Sequence, residues 1–179
     1  MYSKFSPLYI LFAFVLFFSS CSSDDVSPVS LEGTWNLTAA DVTFDDVVIS
    51  ATAKGLQENF ISSKSFTFNG DMSVTSLDSH GDASISGTYT FDNSTNKLVI
   101  NEVYEGENYV YNYDVNLNGN TLELKSITID LTKEYDFEDE EEIGLAFEIF
   151  SLLEDQEDDL IIKVNPDAKT VFVTYKFAK

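Results

Sequence analysis

The chain from Ser65 onward alternates apolar and polar positions in short runs separated by turn residues, the signature of successive half-buried strands. Phe66 and Phe68 share one face ahead of Asn69-Gly70-Asp71, a hairpin signal. Ile85, Tyr89 and Phe91 share a parity before the turn Asp92 to Asn96, and Leu98 to Tyr104 follows. Glu105 to Asn108 turns the chain into its clearest strand. There Tyr109, Tyr111, Tyr113, Val115 and Leu117 point one way, and Asn112, Asp114, Asn116 and Asn118 point the other. After the hairpin signal Asn118-Gly119-Asn120, Leu122 and Leu124 are even-numbered, whereas Ile127, Ile129 and Leu131 are odd. A one-residue slip reverses every side chain, so a bulge near Lys125-Ser126 is expected to keep both sets facing inward. The last pair of strands is expected to turn at Asn165-Pro166-Asp167-Ala168. Val171, Val173, Tyr175 and Phe177 then alternate to the end.

Two stretches depart from this period. Lys54 to Ile61 reads as a short helix with Leu56, Phe60 and Ile61 on one side. Glu140 to Glu154 reads as a longer one, with Ile143, Ala146, Phe147, Phe150 and Leu153 as its apolar stripe. Such a helix is expected to pack over a barrel opening or wall; a sharper reading makes it a movable lid. A run of hairpins favours a sheet closed on itself, since closure removes exposed edges. The expected class is therefore all-β: an up-and-down antiparallel barrel of about 8–10 strands, with one amphipathic helix inserted before the last two.

The N-terminus has a different character. Lys4 precedes the unbroken apolar run Leu8 to Phe18, then Ser19, Ser20 and Cys21. That is the layout of a secretory signal, and the run is too short to cross a hydrocarbon core needing roughly 20 residues of helix. Phe18-Ser19-Ser20-Cys21 resembles a lipobox. Residues 1–20 are then a lipoprotein signal peptide, residues 21–30 a lipidated Cys21 with its tether, and residues 31–179 the folded domain. Cys21 is the single cysteine, so it forms no disulfide within the chain. Two or more acyl chains on it give stable membrane anchoring. Ser22-Ser23-Asp24-Asp25 resembles the export signal of surface lipoproteins, which implies an outer-membrane protein exposed on the cell surface.

Charge removes one class of partner. Thirty-one acidic residues stand against ten basic ones, all lysine, for a net charge of −21. The chain lacks arginine forks for phosphate and repels polyanions, so nucleic acid is not an expected partner.

The heptad Leu31-Glu32-Gly33-Thr34-Trp35-Asn36-Leu37 resembles the Gly-x-Trp opening of lipocalins, and more closely that of bacterial lipocalin-like lipoproteins. The resemblance implies that Gly33 gives close backbone approach and that Trp35 packs across the barrel base. Lipocalins bring an arginine over this tryptophan; here Lys176 on the last strand is the expected substitute. The resemblance also implies a carrier or sensor of a small apolar ligand, with Phe66, Phe68, Tyr89, Phe91, Tyr109, Tyr111 and Tyr113 lining the cavity. Small barrels of this size also exist with interiors filled by their own side chains. In that case the chain is an interaction module for another envelope protein or a surface polymer, acting through loops or the acidic helix.

No catalytic, metal or cofactor site is expected. His80, the single histidine, sits in Ser79-His80-Gly81-Asp82 without a nucleophile elbow or a zinc cluster. Asp136 to Glu140 lacks EF-hand spacing and is expected to be a solvated charge run. Asn36-Leu37-Thr38 and Asn93-Ser94-Thr95 match glycosylation sequons, a coincidence in a bacterial lipoprotein.

Overall fold

A computed structural model describes residues 30–179 except for 53–54, 58–62, 79, 105, 134–139, 154–163 and 165. The expected signal peptide, Cys21, nearly all of the expected tether and most of the charge run Asp136 to Glu140 therefore lie outside the described residues. So does most of the stretch expected as a first helix, of which Gly55–Gln57 forms a short 3-10 turn.

The strands are β1 (Gly33–Phe44), β2 (Val47–Ser50), β3 (Ser65–Phe68), β4 (Ser73–Leu77), β5 (Ala83–Asp92), β6 (Lys97–Tyr104), β7 (Glu107–Asn118), β8 (Thr121–Lys125), β9 (Ile129–Asp130) and β10 (Thr170–Ala178). One helix, α1 (Glu140–Leu152), follows β9. The ring runs β1-β3-β4-β5-β6-β7-β8-β10, and β10 pairs back onto β1 from Asn36↔Ala178 to Phe44↔Val171. All pairings are antiparallel, so this is a closed barrel of eight strands with β2 and β9 as short flaps on β1 and β10. Both edges of β10 are occupied, by β1 and by β8 with β9. The strand expected to precede it as a hairpin partner falls outside the described residues.

Three register shifts bend the wall, and a hydroxyl residue sits in each. Between Lys125↔Thr174 and Ile129↔Val171, four steps on one side face three on β10. This is the bulge that the parity switch in the sequence requires. Ser126 Oγ accepts the Val173 amide at 3.0 Å, replacing a ladder bond. Ser76 Oγ accepts the Ile85 amide at 2.9 Å across the β4–β5 shift. Thr38 Oγ1 donates to the Lys176 carbonyl at 2.9 Å in the β1–β10 shift. A buried backbone group left unpaired would cost about 1–3 kcal/mol, so these hydroxyls make the bends tolerable.

The shift in β1 turns its inward set from Trp35 and Leu37 to Ala40 and Val42. Leu98, Ile100, Val115, Leu122, Leu124, Val173 and Phe177 complete the wall's inner surface. Leu131, expected in the inward set, lies beyond the end of β9 and is 44% exposed.

Helix α1 contacts β7, β1 and the 3-10 turn, so it spans the end of the barrel opposite Trp35. Its three first-turn glutamates suit the positive end of the helix dipole. Glu141 accepts the backbone amide of Asn112 at 2.8 Å and its side-chain amide at 3.1 Å. This occupies the half of β7 that β8, paired only with Asp114 to Asn118, leaves uncovered. At the other end, Leu152 sits so close to Gly55 that a Cβ there would lie 2.5 Å from the Leu152 carbonyl oxygen. The buried stripe of α1 is Leu145, Ile149 and Leu152. The stripe expected from the sequence is corrected in part, because Phe147 and Phe150 are 60% and 76% exposed.

Candidate functional site

The base of the barrel is built by the Gly-x-Trp heptad. Gly33 has φ +115°, a conformation open to glycine, which lets the chain enter β1 from Leu31. Trp35 is fully buried, and its Nε1 donates to the Leu31 carbonyl at 2.7 Å. The cation over its ring is Lys179, with Nζ 4.3 Å from the ring centroid and donating to the Glu32 carbonyl at 2.8 Å. Lys176 does not fill that place. Its even position on β10 points outward, where it pairs with Asp41. Lys179 lies past the strand end, free of strand parity, and folds across the base.

Above this floor the expected cavity residues divide into two groups. Phe66 stacks on Phe68 at 5.6 Å, and Phe68 meets Tyr89 edge-on at 4.9 Å. Phe66 also packs against Phe177 at 5.6 Å. The Tyr89 hydroxyl donates to the Asn69 carbonyl in the β3–β4 turn at 3.0 Å. Phe91 packs against this core from a half-buried position. These rings pack on one another in the lower barrel.

The upper barrel is polar. Tyr113, Tyr111 and Tyr109 climb the inner face of β7 toward the mouth. A cavity of about 10 Å³, room for about one water, lies beside Tyr113. Phe66, Leu124 and Phe177 form its apolar part; Ser63, Tyr113, Tyr175 and Glu148 form its polar part. The Tyr175 hydroxyl donates to the Glu148 carboxylate of α1 in a short hydrogen bond. Ser63 is 6% exposed, and its Oγ has no hydrogen-bond partner among the described residues. Nearer the mouth, the Tyr111 hydroxyl donates to Glu102 Oε2 at 3.1 Å. Glu102 is only 7% exposed, and no lysine pairs with it among the described residues.

Burial, reinforced by neighbouring carboxylates, raises these phenols above their ordinary range. Desolvation and Glu148 push Tyr113 and Tyr175 well up, and desolvation with Glu102 does the same to Tyr111. They therefore stay protonated at neutral pH and can donate or accept hydrogen bonds. Ser63, Glu102, Glu148 and Tyr175 are the polar members of this site that the sequence reading missed. Glu102 follows Leu98 and Ile100 in one inward-facing parity, a signal that a carboxylate occupies a core slot. Glu148 carries no such signal, since an acidic residue on a helix reads as a solvated position.

His80 lies outside the barrel in an exposed loop where Asp78 Oδ1 accepts the His80 and Asp82 amides at 2.8 and 3.0 Å. Among the described residues no group of three or more metal-ligating side chains occurs, and no helix is long and apolar enough to cross a membrane.

A closed eight-stranded meander, floored by a tryptophan and covered by a helix, defines the class of small barrels that enclose their own side chains or one small ligand. The sequence pattern of the Lipocalin-like domain matches residues 31–124, and the chain belongs to that family. The matched span carries β1 to β8, whereas α1 and the closing strand β10 lie beyond it. No curated protein and no solved structure matches the chain.

Proposed function

We propose that this chain is an exported lipoprotein of the bacterial outer membrane, anchored through lipid on Cys21, whose barrel receives a small, largely apolar ligand beneath α1. The observation that carries the binding reading is the unpartnered, buried Ser63 Oγ set beside Tyr113, Tyr175 and Glu148 within an otherwise closed interior. Buried polar atoms are normally satisfied, so a partnerless hydroxyl at a small cavity supports a missing partner from outside the chain. With space for about one water, the described conformation is the closed one. Entry then requires α1 to shift, which breaks the hydrogen bonds of Glu141 with Asn112 and of Glu148 with Tyr175. The tether joins β1 at the base, so the covered mouth is at the end away from the anchor. A non-enzymatic role is part of this reading.

The test is thermal unfolding of the full chain in the presence of fractionated envelope lipid extract. A ligand of the native state raises Tm by mass action. One fraction that does so reproducibly supports the reading, and no shift from any fraction contradicts it.

A second reading, an interaction module for another envelope protein, is favoured by the outward Phe147 and Phe150 on α1. Single exposed apolar residues are common, but two large rings one helical turn apart are a plausible contact. Replacing both with serine would then abolish partner capture while leaving Tm unchanged.

A further inference from the structure

The chamber beneath α1 sets the chemistry of the ligand's polar end. Resting on the ligand-binding reading above, we propose that it receives an uncharged hydroxyl head, so that the ligand is an apolar alcohol held by Ser63 and Tyr113.

Charge excludes the ionic heads. The interior already holds both signs: Lys64, whose Nζ is buried, shares the inward parity of Phe66 and Phe68, and Glu148 lines the chamber. Lys64 and Glu148 both have partners. An ammonium head would add a second cation to an interior whose lining carboxylate is already engaged. A carboxylate head would lie against Glu148, after passing the buried Glu102 nearer the mouth. Burying a charge is costly unless it is paired, so neither ion suits the place.

Size and hydrogen bonding then select among neutral heads. The cavity of about 10 Å³ admits one water-sized group, which matches a single hydroxyl. Ser63 Oγ is buried without a partner, and the Tyr113 hydroxyl makes no hydrogen bond among the described residues. Both border the cavity. Tyr113 stays protonated, because burial and Glu148 raise its pKa, and so it serves as a donor. An incoming hydroxyl accepts from Tyr113 and donates to Ser63, so one group satisfies both. A carbonyl only accepts, and its oxygen would face the Glu148 carboxylate with no hydrogen between them. Phe66, Leu124 and Phe177 begin the apolar wall for the carbon skeleton, whose remainder takes the space that α1 now closes.

The experiment is calorimetric titration of the full chain, in nonionic detergent at neutral pH, with cyclohexanol, cyclohexanone, cyclohexylamine and cyclohexanecarboxylate. The four probes share one ring and differ in the head. Cyclohexanol is expected to bind tightest, severalfold above the ketone and at least about tenfold above either ion. Ser63→Ala and Tyr113→Phe break no described hydrogen bond, so both should keep the native Tm. Each should weaken cyclohexanol about fivefold, the loss of one neutral hydrogen bond. A charged probe that matches the alcohol overturns the neutral head, and a ketone that matches it overturns the hydroxyl; either leaves a carrier. Undiminished cyclohexanol binding in either variant overturns the site. If no probe binds, this proposal falls, and the ligand-binding reading falls with it only if no envelope lipid fraction raises Tm.

Discussion

The hydroxyl of Tyr175, on the strand that closes the barrel, donates to the carboxylate of Glu148, on the helix that covers it. This hydrogen bond joins the wall to its cover. Tyr175→Phe removes the donor while keeping the ring. The expected loss is about 1–3 kcal/mol, because a partly buried carboxylate loses its partner. Urea unfolding would measure it, and faster hydrogen exchange along α1 should accompany it.

Gly55 tests the other end of the same helix. A Cβ at this position would stand 2.5 Å from the Leu152 carbonyl oxygen, on backbone that cannot turn aside. Gly55→Ala is therefore expected to lift the C-terminal turn of α1 and cost about 1–3 kcal/mol, the usual range for overpacking. Hydrogen exchange should rise in α1 and stay low in β5 and β6, whose pairing is remote from the contact.

The base distinguishes two lysines. Lys179 covers the Trp35 ring, whereas Lys176 forms a partly exposed pair with Asp41. Lys179→Ala should cost about 0.5–2 kcal/mol and alter the Trp35 emission. Lys176→Ala should cost at most about 1 kcal/mol and leave the emission unchanged. Emission from this single tryptophan should be blue-shifted and poorly quenched by acrylamide in both variants, as its full burial requires.

The pH dependence has two arms. Tyr111, Tyr113 and Tyr175 have raised pKa values in the folded state, chiefly from desolvation. Their contribution is complete below the ordinary phenol value of about 10 and declines above it, because the unfolded chain then ionises first. Absorbance titration should accordingly show phenols that ionise only with unfolding. At the acid end, Asp92 is lowered to about 2 by the Ser94 and Thr95 hydroxyls and the Ser94 amide. Its contribution is present above the ordinary aspartate range and is lost as pH falls through about 2. Carboxyl chemical shifts would follow that titration directly.

Much of the wall was legible because a strand has only two faces. The alternation from Tyr109 to Leu117 fixed which side of β7 faces inward, and the parity switch after Leu124 located the bulge that Ser126 completes. The helix was less legible for the opposite reason. Ile143-Ala146-Phe147-Phe150-Leu153 and Leu145-Ile149-Leu152 both recur at helical spacing, and packing against β1, β7 and Gly55 buries the second along with Leu153 while leaving Phe147 and Phe150 outside. Lys179 escaped notice because it lies past the end of β10, where alternation no longer assigns a face. The candidate site was half visible. Tyr111 and Tyr113 stood out as inward rings, while the carboxylates beside them were hidden among 31 acidic residues. Phe66, Phe68 and Tyr89 were expected to line an apolar cavity, yet they pack on one another, and the cavity described here borders Ser63, Tyr113, Tyr175 and Glu148 as well as Phe66.

The measurement that tests the central claim most directly is native mass spectrometry of residues 26–179, a span that holds every described strand and α1, after expression in a bacterial periplasm without detergent. The account predicts an added mass that survives gentle ionisation and leaves on denaturation. A bare protein mass that stays bare after incubation with envelope lipid extract would contradict a ligand beneath α1. It would make the barrel a solid scaffold for the surface that carries Phe147 and Phe150.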